Sequence, residues 1–378
     1  GTAIPHSERQ SRGIRLTARR QNAGRDCIYM RIEEALEKTA LQQSLRREEA
    51  REVMQELLSD RVSDEQIARL LAALRDKGET VEEVVGFAEV MRARAAEVLS
   101  QAGVDVHSLA ADGPLLDTCG TGGDGKGTFN VSTAVAFVAA GAGARVAKHG
   151  NRSISSRCGS ADVLEALGVA VELPLALIPE CLEKTGMVFL YAPHLHLAMK
   201  HVMAARRSLK SKTVFNLLGP LTNPLNTSVQ LAGVYDPQRT EMMARALAAV
   251  GTRRAFVVTS EDGMDEISIS RGTRLSEAHD GAVRTRCLAP EDFGMRRSPP
   301  EAIAGGDAET NARIIMQVLN GDEGPHRDII LANASAALVV AGISANFLEG
   351  VEVAAGAIAS GAAKKALSAL QDFTRRLL

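Results

Sequence analysis

The chain has no tryptophan, and aromatic residues make up only 3% of its 378 positions. Stacked rings therefore cannot build the core, and burial must come from the Ala, Val, Leu and Ile that dominate a hydrophobic fraction of 45%. An excess of charge of either sign is also missing: 44 Lys and Arg stand against 46 Asp and Glu, a formal charge of -2. So balanced a chain is not built to coat nucleic acid or an anionic membrane, and any anion site must be local. The five cysteines, Cys27, Cys119, Cys158, Cys181 and Cys287, are scattered and include no C-x-x-C pair. That excludes a readable zinc site, a thioredoxin-like motif and a disulfide scaffold, and fits buried thiols in a reducing cytoplasm. Long apolar runs are lacking too. Ala134 to Ala144 is short and Ile329 to Ile343 is interrupted by Asn333 and Ser335, so neither reaches the ~18 residues that argue for a membrane span.

The length favours two domains at ~150 residues each. Residues 1–29 carry Arg9, Arg12, Arg15, Arg19, Arg20 and Arg25 without apolar periodicity. An Arg-rich, acid-poor transit peptide has this composition; the plainer expectation is a disordered extension ahead of a start at Met30. Residues 30–110 read as a small helical domain of four short helices. Leu36, Thr39, Ala40 and Leu41 open one apolar face, and Val53, Leu57 and Leu58 continue a second helix. Ser63 stands three residues before Gln66, a capping pattern, ahead of a stripe at Ile67, Leu70, Leu71 and Leu74. Gly78 stops that helix, and Thr80 caps the next.

From residue 111 to 378 runs of β-formers alternate with helical patterns. Leu115–Thr118, Arg145–Lys148, Val188–Tyr191, Val229–Tyr235 and Ala255–Thr259 read as strands, with helices between them. This predicts an α/β domain with a mainly parallel sheet flanked by helices. Residues 193–212 break the alternation and are expected to pack on the N-terminal helices. The Ala-rich C-terminus reads as helix, with breaks at Gly342 and Gly350.

The first strand runs into Gly120-Thr121-Gly122-Gly123-Asp124-Gly125-Lys126-Gly127-Thr128, and a helix starts at Asn130-Val131-Ser132-Thr133. Unsatisfied amides and a helix dipole at such a place favour phosphate. Three ligands are conceivable. The loop fits the dinucleotide pattern G-x-G-x-x-G, but that pattern expects an acid at the end of the next strand; Lys148-His149-Gly150-Asn151-Arg152 stands there instead. It nearly fits an ATP loop, but Gly127 follows Lys126 where a hydroxyl should hold the metal. A phosphoribosyl pyrophosphate needs several anion cradles on one sheet edge, and the glycine loop, the helix start and the run from Lys148 to Arg157 supply them.

With Asn216-Leu217-Leu218-Gly219-Pro220-Leu221-Thr222-Asn223-Pro224 and Gly263-Met264-Asp265-Glu266-Ile267-Ser268, these segments resemble the anthranilate phosphoribosyltransferase family of tryptophan synthesis, in the family's order, from about Met30 to the C-terminus. The resemblance implies a homodimer whose site lies between a helical and an α/β domain. It implies phosphoribosyl pyrophosphate on Gly120, Gly123, Asp124, Thr128, Asn130, Val131, Ser132 and Thr133. The rest of that substrate would lie on Lys148, His149, Gly150, Asn151, Arg152, Ser153, Ile154, Ser155, Ser156 and Ser160. Mg2+ would sit on Ser132, Asp265 and Glu266. Anthranilate would contact Gly120, Asn151 and Arg206, with Arg206 as its carboxylate partner and Pro193 and His196 near by position. No acid–base residue is implied, because an aromatic amine is already neutral and nucleophilic at pH 7. A nucleoside phosphorylase, a nicotinamide enzyme and a non-catalytic nucleic-acid-binding relative are the rivals. Arg206, the missing acid near Lys148, and the balanced charge with Asp265 and Glu266 oppose them in turn.

Overall fold

The computed structural model describes residues 30–153 and 157–376. The extension 1–29 with Cys27, the triplet Ile154, Ser155 and Ser156, and the last two residues lie outside the described residues. The chain begins with α1 (Ile32–Ala40), α2 (Arg47–Leu57), α3 (Asp64–Lys77), α4 (Val81–Gln101) and α5 (Val106–Ala111). Ser63 caps α3 by accepting the Gln66 N–H, and Thr80 caps α4 by accepting the Glu83 N–H, both at 3.3 Å. At 21 residues α4 is no short helix. The face expected on α1 is also displaced. Ile32, Ala35 and Thr39 are buried and Leu41 is 70% exposed, since about 100° per residue sets Leu41 opposite Ile32.

The α/β region follows as β1 (Leu115–Gly120), α6 (Val131–Gly141), β2 (Arg145–Gly150), α7 (Ser160–Ala166), α8 (Ile178–Thr185) and β3 (Met187–Tyr191). After α9 (Ala192–Leu195), α10 (Lys200–Leu209) and α11 (Val214–Leu218) come β4 (Val229–Gly233), α12 (Thr240–Ala249), β5 (Arg254–Ser260), β6 (Thr273–His279) and β7 (Ala282–Leu288). One seven-stranded sheet results, in the order β3-β2-β1-β4-β5-β6-β7. Its strands β3, β2, β1, β4 and β5 are parallel, while β6 and β7 form an antiparallel hairpin on β5. That hairpin was not expected from the sequence.

The chain closes with α13 (Ala308–Leu319), α14 (Pro325–Ala341), α15 (Phe347–Ala359) and α16 (Ala362–Arg375). Gly342 ends α14 in a left-handed turn (φ 77°). Gly350, expected as a break, lies inside α15; a Cβ there would come within 2.6 Å of Ser335 Oγ on α14. Its role is close helix contact, and the break falls at Gly361.

The sheet divides two apolar cores. Along β5, Phe256 and Val258 join β1, α6 and the C-terminal helices, whereas Ala255 and Val257 join a core with α2, α3, α4 and α12. This is the two-residue alternation of a strand buried on both faces. Val202 and Ala205 of α10 belong to the second core, so the segment 193–212 contributes to the helical side. No helix among the described residues is long and apolar enough to cross a membrane.

Candidate active site

Strand order reverses between β1 and β4, and open α/β sheets bind ligands outside the carboxyl ends of strands at such a point. Gly120 and Gly233, which end the two strands, are paired there. Asp265 lies across both: a Cβ on Gly120 would strike its carboxylate, and one on Gly233 its carbonyl oxygen. The loop then passes Gly122, Gly123, Gly125 and Gly127, all at φ between 61° and 73°, where a side chain would be strained. Gly122 N–H donates to Asp265 Oδ2 (2.8 Å), and Thr121 N–H to Gly233 O (2.9 Å). At the far end Gly305 N–H donates to Gly127 O (2.8 Å), beside a bridge from Thr128 to Ala304.

Several expected ligand residues turn out to hold the frame. Asn130 precedes α6, but its Nδ2 donates to Cys158 O (3.2 Å) and its Oδ1 accepts from Asn311 (2.9 Å). Val131 is buried and its N–H donates to Phe129 O (2.8 Å). Lys148, 1% exposed, runs beneath the loop; its Nζ donates to Thr118 O and to Ser132 Oγ (3.2 Å). Burial lowers its pKa, with Asp117 opposing. The ammonium therefore supports Ser132 from below.

His149 is held in the same way. Its N–H donates to Asp117 Oδ1 (3.2 Å), and its Nδ1 must carry the proton it shares with Gly219 O (3.3 Å). The remaining Nε2 is buried and unpartnered. Burial, then the adjoining His196, pulls the ring down to about 3, so it is neutral and has no N–H for a phosphate. His196 Nε2 donates to Thr222 O (3.2 Å), and burial brings its pKa down to about 4.

Arg152 is gripped by Glu165 (2.6 and 2.7 Å), Asp162 (3.2 Å) and the Tyr191 hydroxyl (3.2 Å). Its charge is thus balanced inside the loop it was expected to arm. Asp162 also accepts from the Ser153 and Gly159 N–H groups (3.0 and 2.8 Å), and Ser160 Oγ bonds both N and O of Asn151 (3.2 Å). Asn151 itself is exposed at the end of β2. Arg206, on α10, is half-buried over the Phe215 ring (5.2 Å). It has no carboxylate partner among the described residues, and burial lowers its pKa.

The carboxylates stand in the opposite situation. Burial, then Asp124, pushes Asp265 up to about 6; burial, then Asp265, raises Glu266 well above the usual range. Asp124 Oδ2 is buried without a partner. Like charges so close disfavour one another's ionised forms, and a hard divalent cation relieves them. Among the described residues no three His, Cys, Asp or Glu side chains form a complete metal cage. Mg2+ fits that donor set, since it takes one or two carboxylates and fills its shell with water and phosphate oxygens.

Sequence reasoning missed Asp117 and Asn223. Asp117 is fully buried in β1 and accepts from Asn223 Nδ2 (2.9 Å), which also donates to Ala147 O (2.8 Å). The available signal was an acid inside the apolar run Leu115–Leu116, which demands buried partners.

A bundle of helices resting on a sheet with an anion loop and an acidic cluster at its switch point defines a two-domain glycosyl transferase. Residues 33–95 match the helical bundle domain of the glycosyl transferase family, and residues 112–364 match its a/b domain. Anthranilate phosphoribosyltransferase from Pelotomaculum thermopropionicum is 49% identical over 92% of this chain and 97% of its own. The crystal structure of the Thermus thermophilus enzyme of that name matches with a TM-score of 0.80 at 41% identity, covering 90% of this chain and 99% of the other. The Saccharomyces cerevisiae enzyme in complex with PRPP and Mg matches at 0.79 and 28% identity, over 91% and 98% of the two chains. The chain belongs to the anthranilate phosphoribosyltransferase family.

Proposed function

We propose that this chain transfers the 5-phosphoribosyl group of phosphoribosyl pyrophosphate to the amine of anthranilate, giving N-(5-phosphoribosyl)anthranilate and pyrophosphate, in tryptophan synthesis. One observation carries the reading at the level of the site: the Asp265 carboxylate lies on a glycine loop shaped for anions. An acid against an anion cradle is consistent when a divalent cation and a polyphosphate share the site. The yeast relative solved with PRPP and Mg supports the same pair.

In this reading Asp265, Glu266 and Ser132 would hold Mg2+, which would supply positive charge where the pyrophosphate departs. The loop from Gly120 to Thr128 orients the pyrophosphate ahead of α6, and the exposed turn at Asn151, after β2, receives the ribose phosphate. Arg206 presents a guanidinium fork to the anthranilate carboxylate, with Asn151 beside the amine. The carbon–nitrogen bond forms as the anomeric carbon–oxygen bond breaks, its electron pair leaving with the pyrophosphate, and the amine then gives its proton to solvent water. Neutral His149 and His196 take no proton in this step. Catalysis is alignment and preorganised charge.

A cytoplasmic setting agrees with the free thiols Cys119, Cys181 and Cys287. A homodimer agrees with apolar Leu41 and Leu197, which stand 70% and 57% exposed. The test uses the absent tryptophan: with no indole background, anthranilate fluorescence is followed in a mixture of protein, anthranilate, phosphoribosyl pyrophosphate and Mg2+. Decay is expected, and no decay beyond a protein-free control rejects the proposal.

A further inference from the structure

We propose that Lys212 is a cation of the pyrophosphate subsite, carried to the glycine loop by the segment that joins α10 to α11. The inference rests on the transfer reading above and adds a residue that no sequence motif singled out.

The backbone on both sides of Lys212 is held. Ser211 Oγ accepts from Arg75 Nη1 of α3 (2.7 Å), and Thr213 N–H donates to Asn216 Oδ1 at the start of α11 (3.0 Å). From that anchored position the side chain stretches to the sheet edge. Its Nζ lies 3.3 Å from the centre of the Tyr235 ring, and its Cε would touch a Cβ on Gly123 at 3.4 Å. Tyr235 is itself tied to the loop, because its N–H donates to Thr121 Oγ1 (3.2 Å). Three elements thus converge on one ammonium: the α10–α11 connection, the end of β4 and the glycine loop.

The charges around it explain why it matters. Asp124, Asp265 and Asp236 all face Lys212, yet burial still lowers its pKa. It makes no ion pair with them among the described residues. An aromatic face accepts an ammonium without fixing its direction, so the charge is parked beside the loop on a flexible stem. Pyrophosphate on the loop amides would bring oxygens that bind a cation far more strongly than a ring does. When the anomeric carbon–oxygen bond breaks, its electron pair stays on the pyrophosphate oxygen; Lys212 keeps its proton and faces the charge that develops there. Lysine suits this as a compact charge that can turn from one partner to another.

The experiment pairs calorimetric titration of magnesium pyrophosphate with steady-state kinetics on the full chain. Lys212→Met is expected to weaken pyrophosphate binding about tenfold or more. It should lower kcat/KM for phosphoribosyl pyrophosphate by about 10²-fold while the anthranilate KM moves less than about twofold. Lys212→Arg should restore most of the loss, and Lys210→Met, two residues away, should match wild type. A Lys212→Met protein that binds magnesium pyrophosphate as wild type does, or that raises both KM values equally, overturns the proposal. If the methionine variant does not fold, Lys212→Gln is read by the same criteria. Wild-type protein without turnover would sink the transfer reading, and the pyrophosphate titration would still decide Lys212.

Discussion

Two groups of acids in this molecule have the same chemistry and opposite circumstances. Glu83, on the helical side and 0% exposed, accepts from Lys77 Nζ (2.9 Å), Thr80 N–H (2.8 Å) and Leu45 N–H (2.8 Å). Asp265 accepts one loop amide, and Glu266 and Asp124 crowd it with like charge. Saturated with donors, the first acid is a brace. The second group is left wanting positive charge, which marks it as the candidate functional group. Residue type does not separate the two roles; the supply of donors does.

The sharpest way to break this contrast is to neutralise each acid. Asp265→Asn with Glu266→Gln should cut turnover by about 10³-fold and raise the magnesium needed for half-maximal rate. An unchanged metal requirement in fluorescence assays would remove both residues from the site. Glu83→Gln should do the reverse. It strands Lys77, whose side chain is 4% exposed, and should cost about 3 kcal/mol in urea unfolding with kcat/KM preserved. Lost turnover at unchanged stability would erase the distinction.

Arg206→Ala extends the comparison to a half-buried cation without an acid. The anthranilate KM should rise roughly 10- to 100-fold, about 2 kcal/mol, and that of the sugar substrate far less; equal increases would disprove a carboxylate fork. The smallest effect is a pH dependence. Asp265 stands at about 6, above the ordinary 3.8, so its protonated form favours the fold. Its contribution is present in acid and lost as pH rises through 6. Without metal, wild type should therefore gain a few degrees of melting temperature relative to Asp265→Asn between pH 7 and pH 4. A constant difference across that range would show that Asp265 is not raised.

Much of the fold was legible because its signals are local. The strands β1 to β5 are buried on both faces and read as short apolar runs between helices, and the capping residues Ser63 and Thr80 announce α3 and α4. The hairpin was lost because β7 is an exposed edge carrying Arg284 and Arg286, so no apolar alternation reveals it. Asp280-Gly281, with φ of 47° and 80°, was nonetheless the kind of two-residue turn that marks a hairpin. In the site, the glycine loop, Arg206 and the Asp265–Glu266 pair could be found from motifs. The bonds that hold Lys148, His149, Asn130 and Arg152 could not, because each depends on partners remote in sequence: Thr118, Asp117, Asn311 and Glu165. Lys212 was invisible for the same reason, since Tyr235 and Gly123 meet it only in space.

The shared core has a consequence for how the molecule can come apart. Ala232, Val234, Ala255, Val257 and Ala278, all on strands or at their ends in the α/β region, complete the apolar interior of the N-terminal bundle. Family boundaries at 33–95 and 112–364 therefore mark inheritable modules that are not autonomous folding units. Expressed alone, the first would present a greasy, unfinished face to water, and heating the intact chain should melt both together in one cooperative event.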